Sequence, residues 1–425
     1  YDLHIGEYIT IEASHQTGAY WSTRSILQIL KQTGDTIPQG DVRDYPKYKV
    51  RGLSFDVGRR FVPMHFLESW ASQMAWYKMN DFGLHMTDNT FDLSFGGFPL
   101  ESDVPNLTNP EGMYYTKDEF RQFQLDAKEQ GVKIVPEFDT PGHSLPFTEA
   151  RPDLARPGKK EYLDVQNPET APFVQSVFDE YLDGEDPVFL EDAVINIGTD
   201  EYKGGGQEEK EAFRAYQDTM LKYILEKGHT PRAWGSQTEN HGTTPVQVEG
   251  VQLYMWYTGY ANAKEMYDLG YQMININDGD TYIVPGAGYY YDYLNKGHIY
   301  NNFDPSNIYR SFKVPAGDPQ ILGGSYALWN DKTGGSDNGT ADMETLDRLF
   351  DALPVVAAKT WGDGKDNTLS ELEAIVDETG YAPNTNPTYE VETKNDTVLS
   401  YDFDEDAKTQ DNSMNDYDLV SEGEN

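Results

Sequence analysis

The sequence predicts an α/β fold, a closed (β/α)8 barrel of the TIM type, on three observations. Strand-like and helix-like patterns alternate along most of the chain, which indicates a parallel sheet covered by helices. The strand-like segments number eight, as such a barrel requires. The chain has 425 residues, which exceeds the usual size of one hydrophobic core but suits a barrel of roughly 250 to over 400 residues.

The predicted strands are short apolar segments separated by helical patterns. In chain order they are residues 50–57, 81–88, 131–139, 194–201, 230–235, 251–257, 271–278 and 321–329. After the first strand, Phe66, Trp70, Met74 and Tyr77 recur at a spacing that puts apolar groups on one helical face. Residues 116–119 have the pattern of a capping box and predict the start of the next helix. We expect the eight strands to close into a barrel.

Composition excludes several classes of partner. The net charge of -39 and the pI near 4.3 oppose binding to nucleic acid or to anionic membrane surfaces. There is no Cys, and the 8 His have no metal-type spacing, so we predict no metal and no cofactor. No apolar run approaches the roughly 20 residues that span a bilayer. Because the chain starts at Tyr1 without a signal peptide, we expect it to be a trimmed fragment.

The expected partner is therefore a neutral molecule. The 30 Tyr and 7 Trp suit stacking on sugar rings, although they suit core packing equally well. We predict an oligosaccharide or glycoconjugate substrate, and the oligomeric state is not predicted.

Candidate site residues fall at the ends of successive predicted strands, where barrel active sites lie. In strand order they are Arg59, Asp88, Asp139 with His143, Asp200 with Glu201, Trp234, Trp256, Tyr290 with Asp292, and Trp329 with Asp331. Each residue alone has an ordinary structural explanation, such as packing for a Trp. Their joint occurrence predicts one site.

The most informative pair is Asp200 and Glu201, which follows the apolar residues 195–198. Side chains alternate along a strand, so neighbouring acids at its end can reach two different atoms of one substrate. This pattern indicates a sugar hydrolase in which one acid holds the substrate and the other protonates it. A solvated acidic loop is the alternative explanation.

Four motifs extend this hypothesis. They are residues 51–61 (RGLSFDVGRRF), 77–88 (YKMNDFGLHMTD), 135–143 (VPEFDTPGH) and 197–202 (IGTDEY). In order and spacing they resemble glycoside hydrolase family 20, the β-N-acetylhexosaminidase and lacto-N-biosidase family. The resemblance covers about residues 1–361 and implies a catalytic barrel at 51–361, preceded at 1–50 by the end of a small α/β domain.

The resemblance implies a retaining exo-glycosidase in which the sugar's own 2-acetamido oxygen attacks the anomeric carbon and forms an oxazolinium intermediate. Asp200 would orient the acetamido group and stabilise its developing charge. Glu201 would protonate the leaving oxygen and later activate water. We expect burial to keep Glu201 protonated for the first step.

The resemblance also implies roles for the other candidates. His143, Asp88 and Asp139 would support Glu201, and Tyr290 would donate a hydrogen bond to the acetamido oxygen. The expected substrate-binding residues are Arg59, Asp139, Trp234, Trp256, Asp292, Trp329 and Asp331, the three Trp as pocket walls. An extracellular or cell-surface location in a bacterium is implied as well.

Two departures from the common hexosaminidase pattern concern the substrate. After Asp88 the chain continues with residues 89–92 (NTFD), and Asp331 stands where many relatives have Glu. Both departures are more similar to the lacto-N-biosidase branch, which removes the disaccharide Galβ1-3GlcNAc. A shorter acid could leave space beyond the sugar O3. Release of single GlcNAc or GalNAc units stays open as the alternative.

The composition changes beyond Trp361 to Asp, Glu, Asn, Thr and Pro, which predicts a linker at 362–395. Residues 399–405 resemble the first strand of a concanavalin-like lectin sandwich. For residues 396–425 we therefore expect either the start of a β-sandwich or a disordered acidic tail.

Two other classes of function stay open. A non-catalytic carbohydrate-binding protein on the same scaffold would be expected to lack Asp200, Glu201 or Tyr290, and all three are present. An ordinary two-carboxylate retaining glycosidase would need a second acid roughly 5 Å from Glu201.

Overall fold

A computed structural model describes residues 1–90, 96–332, 341–362, 367–391, 393–403 and 409–419. The chain divides into two compact units, Tyr1–Pro383 and Asn384–Asn425. Among the described residues, no helix combines the length and apolar character that a membrane crossing requires.

The first unit begins with a small α/β layer. Its strands Asp2–Ile5, Ile9–Glu12 and Gly40–Arg43 form an antiparallel sheet with the first strand in the middle. The helix Gln16–Thr33 lies against the barrel, where the ring of Trp21 meets that of Trp361 edge-on at 5.1 Å. This layer is joined to the barrel at the amino-terminal side of the first barrel strand.

The barrel consists of eight parallel strands, and each overlaps its predicted segment. In order they are Val50–Asp56, Asp81–His85, Lys133–Thr140, Val194–Gly198, Thr230–Trp234, Gln252–Met255, Gln272–Asn275 and Ile321–Leu328. Each strand pairs with the next, and the eighth pairs with both the seventh and the first. The predicted barrel and its closure are therefore confirmed.

Helices and short strands connect the barrel strands, and two further helices follow the eighth strand. The helices are Met64–Trp76, Lys117–Glu129, Leu145–Ala150, Thr170–Leu182, Gln207–Glu226, Ala263–Leu269, Asp278–Thr281, Lys296–Asn302, Asp342–Trp361 and Leu369–Thr379, with a 3-10 turn at Pro152–Leu154. The short strands are Asp88–Asn89, Gly96–Gly97, Ala155–Arg156, Lys159–Leu163, Tyr282–Ile283, Asn307–Ile308 and Phe312–Lys313.

Local sequence signals explain two of these helices. Phe66, Trp70 and Met74 are buried on the face of Met64–Trp76 that covers the barrel. The predicted capping box opens Lys117–Glu129, where the Glu119 amide donates to the Thr116 hydroxyl at 3.2 Å and the Thr116 amide donates to the Glu119 carboxylate at 3.3 Å.

The predicted linker at 362–395 is wrong in part, because it contains the helix Leu369–Thr379. This helix starts with its own capping box at Thr368 and packs Leu369 and Leu372 against the core. The Trp76 indole donates to the carbonyl of Gly380 at 3.1 Å. The amphipathic pattern of this helix is short and lies in a segment of polar composition, so it is not evident from the sequence. The first unit extends to Pro383.

The second unit has no strand among its described residues, so the strand predicted at 399–405 is not found over 399–403. Residues 404 and 405 lie outside the described residues. The unit's turns gather around Asp411, whose carboxylate accepts hydrogen bonds from the backbone amides of Ser400, Ser413 and Tyr417. Polar turn contacts therefore take the place of a sheet ladder in this part of the chain.

A buried polar network inside the barrel links the fold to its carboxyl-terminal end. Glu137 on the third strand accepts hydrogen bonds from His85 at 2.6 Å, Asn196 at 2.5 Å and Trp234 at 3.0 Å. Because strand side chains alternate, Glu137 and Asp139 face the same interior. Asp139 therefore stands one layer above Glu137, at the mouth of the barrel.

Candidate active site

A cavity of about 400 Å³ opens at the carboxyl ends of the barrel strands. Nine predicted residues line it, namely Arg59, Asp139, His143, Asp200, Glu201, Trp256, Tyr290, Trp329 and Asp331. Its position agrees with the rule that barrel active sites lie at this end. These nine strand-end residues therefore surround one cavity.

The Asp200–Glu201 pair is held in an unusual backbone. At the end of the fourth strand and just beyond it, Gly198, Thr199 and Glu201 have φ angles of 75°, 71° and 46°. This left-handed region is costly for residues other than Gly and persists where the surroundings enforce it, often at functional sites. A Cβ on Gly198 would lie 2.0 Å from an oxygen of Asp139, so only Gly lets the strand approach Asp139 this closely.

Asp200 lies at the buried side of the cavity. Its Oδ1 accepts a hydrogen bond from the Trp256 indole at 2.8 Å and from the Glu201 amide at 2.9 Å. Its own amide donates to Asp139 Oδ1 at 3.2 Å. These contacts fix the carboxylate against the wall formed by Trp256, with its second oxygen available to a ligand.

Glu201 is about half exposed and is backed by a chain of charged groups. His143 Nε2 lies 3.5 Å from Glu201 Oε2, and His143 Nδ1 lies 2.8 Å from Asp88 Oδ2. Asp88 is buried and also contacts Arg59 Nη2 at 2.8 Å and His85 Nε2 at 3.1 Å. Asp88 therefore does not line the cavity but supports His143 from behind.

This arrangement determines which groups carry protons. Burial alone would lower the pKa of His143, but the Asp88 carboxylate outweighs burial and raises this pKa well above the usual range. The hydrogen bond from His143 in turn lowers the pKa of Glu201, against the opposing effect of burial. The expectation that burial keeps Glu201 protonated is therefore wrong for the free site.

The pKa values of the two deeper acids, Asp200 and Asp139, are raised. Burial raises the pKa of Asp200 well above its usual range, and the charge of Glu201 adds to the effect. Burial, opposed by His143 and reinforced by Glu137, raises the pKa of Asp139 to about 7. These opposite shifts favour a proton on the buried acids over a proton on Glu201 in the free site.

Aromatic rings enclose the cavity. Trp256 and Tyr282 are nearly parallel, with centroids 6.0 Å apart, and Trp329 lies 5.6 Å from Tyr282. Trp234 does not line the cavity, so its predicted place in the wall is wrong. As the last residue of the fifth strand it points into the barrel interior, fully buried, where it donates to Glu137.

The opposite rim is formed by Arg59, Asp331 and Tyr289. Arg59 pairs with Asp56 at 2.9 Å and reaches Asp331 at 3.5 Å. The Tyr289 hydroxyl donates to the other oxygen of Asp331 at 2.8 Å. Buried charge partners of this kind hold Arg59 in a single position, from which it can bind hydroxyl groups.

Asp292, predicted to bind substrate, does not line the cavity. Its side chain is exposed and accepts a hydrogen bond from the Gly286 amide at 2.8 Å. It closes the loop that carries Tyr289 and Tyr290. Of the unusual segment after Asp88, residues 91 and 92 lie outside the described residues.

Sequence reasoning missed several residues of the site, among them Tyr289 of the rim. His85 and Glu137 form the inner hydrogen-bond layer, and Tyr282 lines the cavity. Asp278 accepts the hydrogen bond of the Tyr290 hydroxyl at 2.8 Å. His85 and Glu137 lie inside the family motifs, and period-two alternation from Asp139 points to Glu137.

In the part of the chain that the structure describes, two groups of side chains have ligand-type atoms within 4.8 Å of one another. They are His85, Glu137 and Asp139, and Asp139, His143 and Asp200. In both groups the imidazole Nδ1 already contacts a carboxylate. Their partners are those of an acid–base network, and the absence of a metal stays a prediction.

Comparisons with known proteins agree with this geometry. Residues 48–361 match the model of the glycosyl hydrolase family 20 catalytic domain, and residues 1–45 match domain 2 of that family. A lacto-N-biosidase of Bifidobacterium bifidum is 25% identical over 408 residues, which is 90% of this chain and 34% of the relative. A β-hexosaminidase of Akkermansia muciniphila is 28% identical over 53% of this chain and 51% of its own length.

The chain thus spans about a third of the first relative and half of the second. Among solved structures, the β-N-acetylhexosaminidase of Bacteroides fragilis superposes with a TM-score of 0.70 at 22% identity, covering 92% of this chain and 85% of the other. This likeness establishes the shared fold.

Proposed function

The chain belongs to glycosyl hydrolase family 20, and we propose that it is a retaining exo-β-N-acetylhexosaminidase that uses the substrate's acetamido group as nucleophile. The observation that carries the proposal is the adjacent pair of acids with separate surroundings. Asp200 is bound to Trp256 inside the cavity, whereas Glu201 faces the opening and is backed by His143. Two acids with opposite pKa shifts can hold two different roles.

In the first step the acetamido oxygen attacks the anomeric carbon as the glycosidic bond breaks. Glu201 transfers its proton to the leaving oxygen, and Asp200 balances the positive charge that develops on the oxazolinium nitrogen. In the second step water attacks the anomeric carbon, Glu201 accepts its proton, and the ring reopens to the acetamido group. Two displacements at the same carbon retain its configuration.

Substrate binding favours the protonated form of Glu201, which the first step requires. The sugar displaces water from the half-exposed Glu201, and desolvation raises a carboxyl pKa. The acetamido N–H donates to Asp200 and favours its charged form. Both effects move the shared proton from the buried acid to Glu201, so these groups titrate as one coupled set.

The proposal is tested with paired aryl β-glycosides, one with a 2-acetamido group and one with a 2-hydroxyl. We expect rapid hydrolysis of the first and little of the second, since only the acetamido oxygen can act as internal nucleophile. Equal rates on both would overturn the proposal in favour of a two-carboxylate enzyme. Binding without turnover of either would favour a carbohydrate-binding protein.

A second, finer candidate is release of the disaccharide lacto-N-biose. The lacto-N-biosidase of Bifidobacterium bifidum aligns with 90% of this chain, whereas the β-hexosaminidase of Akkermansia muciniphila aligns with 53%. This candidate is also supported by the rim of the cavity, where the short Asp331 and the exposed ring of Tyr289 could accommodate a sugar attached at O3. We expect lacto-N-tetraose to yield a disaccharide as first product. No hydrolysis of lacto-N-tetraose by an enzyme that releases GlcNAc from chains ending in GlcNAc would exclude this candidate.

Replacement of His143 tests whether this residue supports Glu201 as the general acid. We expect His143→Ala to lower kcat/KM roughly tenfold without abolishing activity, because one hydrogen bond to a charged group is lost. The His143–Glu201 pair retains its proton up to the raised pKa of His143. Without the imidazole the proton is held by carboxyl groups alone, so the alkaline limb of the pH–rate profile should move to lower pH.

The control is His15→Ala, an exposed residue of the small α/β layer. It should leave the rate and the pH profile unchanged. If His143→Ala also kept the parent's profile, His143 would have only a structural role.

A further inference from the structure

The segment that follows Glu201 contains three consecutive glycines, residues 204–206, before the helix Gln207–Glu226 begins. Glycine leaves the backbone more conformational freedom than any other residue. Glu201 itself has a left-handed φ of 46°. Its carboxylate lies 3.5 Å from His143 Nε2, which is longer than the usual hydrogen bond. The position of the Glu201 side chain therefore depends on what holds the backbone on both sides of it.

An ion pair outside the cavity binds this segment. Arg156 contacts the Glu209 carboxylate through Nε and Nη2, each at 2.8 Å from a different oxygen. The Tyr202 hydroxyl donates to Glu209 Oε1 at 2.8 Å, and the Gly205 amide donates to Oε2 at 2.5 Å. Arg156 Nη1 donates to the Lys203 carbonyl at 3.2 Å. Arg156 and Glu209 thus form a clamp, the Arg156–Glu209 clamp, which bonds three residues of the segment.

The clamp is shielded from solvent and keeps its charges. The side chains of Arg156 and Glu209 are each 14% exposed, and two parallel bonds between a guanidinium and a carboxylate fix the geometry of the pair. Burial alone would raise the pKa of Glu209, but the Gly205 amide, the Tyr202 hydroxyl and the charge of Arg156 outweigh burial and lower this pKa. Glu209 is therefore ionised at neutral pH.

Tyr202, the residue directly after Glu201, is also held by the core. Its ring is fully buried and stacks on Phe213, with centroids 5.3 Å apart and an interplanar angle of 13°. Asn240 Nδ2 donates to the Tyr202 carbonyl at 2.7 Å, and Asn240 Oδ1 accepts a hydrogen bond from the Gly204 amide at 3.1 Å. These contacts restrict a segment whose own sequence would leave it free.

The clamp also connects the two sides of the acid. Arg156 ends a short strand that forms a hairpin with Lys159–Leu163. The last amide of this hairpin donates to the Pro141 carbonyl at 2.8 Å, two residues before His143. One connection of the barrel therefore carries both the imidazole that backs Glu201 and the guanidinium that holds the segment after it.

We propose that Arg156 and Glu209 are positioning residues, which hold Glu201 within reach of the leaving oxygen and of His143. This inference rests on the proposed function. A general acid is effective only when its carboxyl group lies within hydrogen-bond reach of the atom that it protonates. Without the clamp the glycine-rich segment adopts further conformations, and Glu201 occupies the productive position for a smaller fraction of the time.

The part of the cavity that binds the acetamido group has other anchors. Asp200 accepts a hydrogen bond from the Trp256 indole at 2.8 Å, and its amide donates to Asp139 at 3.2 Å. Neither Trp256 nor Asp139 belongs to the clamp or to the segment after Glu201. Loss of the clamp should therefore impair proton transfer more than binding of the acetamido group.

The test is Glu209→Gln, which keeps the size of the side chain and removes its charge. The substrates are two aryl β-N-acetylglucosaminides, one with a leaving group of high pKa and one that leaves as a stable anion. We expect kcat/KM to fall roughly tenfold on the first and to stay within about twofold on the second, since a misplaced acid matters only where the leaving oxygen needs a proton. Equal losses on both substrates would overturn the proposal.

Glu180→Gln is the matched control. Glu180 is 11% exposed and accepts hydrogen bonds from Lys117 at 2.6 Å, the Ser102 hydroxyl at 2.8 Å and the Asp103 amide at 2.5 Å, but it does not line the cavity. The control should lower the thermal unfolding midpoint about as much as Glu209→Gln and leave both rates within about twofold of the parent. If Glu209→Gln changed only the unfolding midpoint, the clamp would have a structural role alone.

Tyr202→Phe provides a second, milder variant that removes one hydroxyl and keeps the stacked ring. It should show the same dependence on the leaving group with a smaller loss, about threefold, as for one hydrogen bond. A thiazoline mimic of the intermediate should bind both variants within about twofold of the parent, because it depends on Asp200 and needs no proton on a leaving oxygen. Much weaker binding would indicate a general disturbance of the cavity and contradict the positioning role.

The outcomes also separate this inference from the function on which it rests. If the parent hydrolyses neither glycoside, the proposed function fails, and this inference fails with it. If the parent is active and Glu209→Gln has the same rates as Glu180→Gln, the function stands and only the role of the clamp is wrong.

Discussion

Glu201→Gln is expected to lose most turnover on substrates with poor leaving groups while it keeps the fold and still binds sugar. The loss should be roughly 10²- to 10⁴-fold, the usual contribution of a positioned general acid. Gln has nearly the same shape as Glu and can still contact His143, so the cavity keeps its form. Only the proton donor is removed.

The measurement is kcat on two aryl glycosides that share the same sugar. One leaving group has a high pKa and needs a proton, and the other leaves as a stable anion. We expect the loss to be much smaller with the second. The control is Glu208→Gln, which removes an exposed acid in the first turn of the helix Gln207–Glu226. Equal losses of the Glu201 variant on both substrates would argue against the acid role.

The pH dependence of the parent follows from the same groups. The pKa of Asp139 is raised to about 7, and the pKa of Asp200 is raised as well. Part of the titration of these coupled groups therefore lies above the usual pH range of carboxyl groups. The reaction needs Asp200 ionised and one proton on the His143–Glu201 pair. The acid limb of the profile therefore reports the buried carboxyls, and the alkaline limb reports the pair.

The barrel could be predicted because its signals are local. Each strand is a short apolar run, and the helices between them carry periodic apolar faces and capping residues such as Thr116. The strand-end rule then placed most of the site without any three-dimensional information. Asp200 and Glu201 were found this way because their strand is clear and ends at Gly198.

The errors arise where orientation depends on tertiary contacts. Trp234 and Trp256 both lie at strand ends, but Trp234 is the last residue inside its strand and points inward, whereas Trp256 lies one residue beyond its strand. In the stretch from 282 to 293, Tyr282, Tyr289 and Tyr290 all line the cavity. The position of Tyr282 depends on the pairing of its short strand with Ala327, which no local pattern reveals.

The pKa of Glu201 was misjudged for a related reason. Burial is suggested by the apolar motif around it, but its effect is outweighed by His143, which Asp88 holds in place. That chain joins residues from three different strand ends. The combined effect of these charges on the pKa of Glu201 therefore depends on the folded structure.

Asp200→Asn tests the role of the acetamido group most directly. The change keeps the size of the side chain and can keep the bond from Trp256, but it removes the charge that stabilises the oxazolinium nitrogen. We expect kcat to fall roughly 10²- to 10³-fold, as for the loss of one preorganised electrostatic group. The formation of the cyclised intermediate should be the step that slows.

A thiazoline mimic of that intermediate provides the second measurement. It should inhibit the parent strongly and bind the Asp200→Asn variant much more weakly, because its ring nitrogen loses the opposing charge. The control is Asp183→Asn, an exposed acid that does not line the cavity and pairs with Lys227 at 2.6 Å. A two-carboxylate enzyme would show neither effect, since its nucleophile belongs to the protein. Trapping a covalent sugar ester on any Asp or Glu during turnover would contradict the mechanism, because the acetamido oxygen would then have been bypassed.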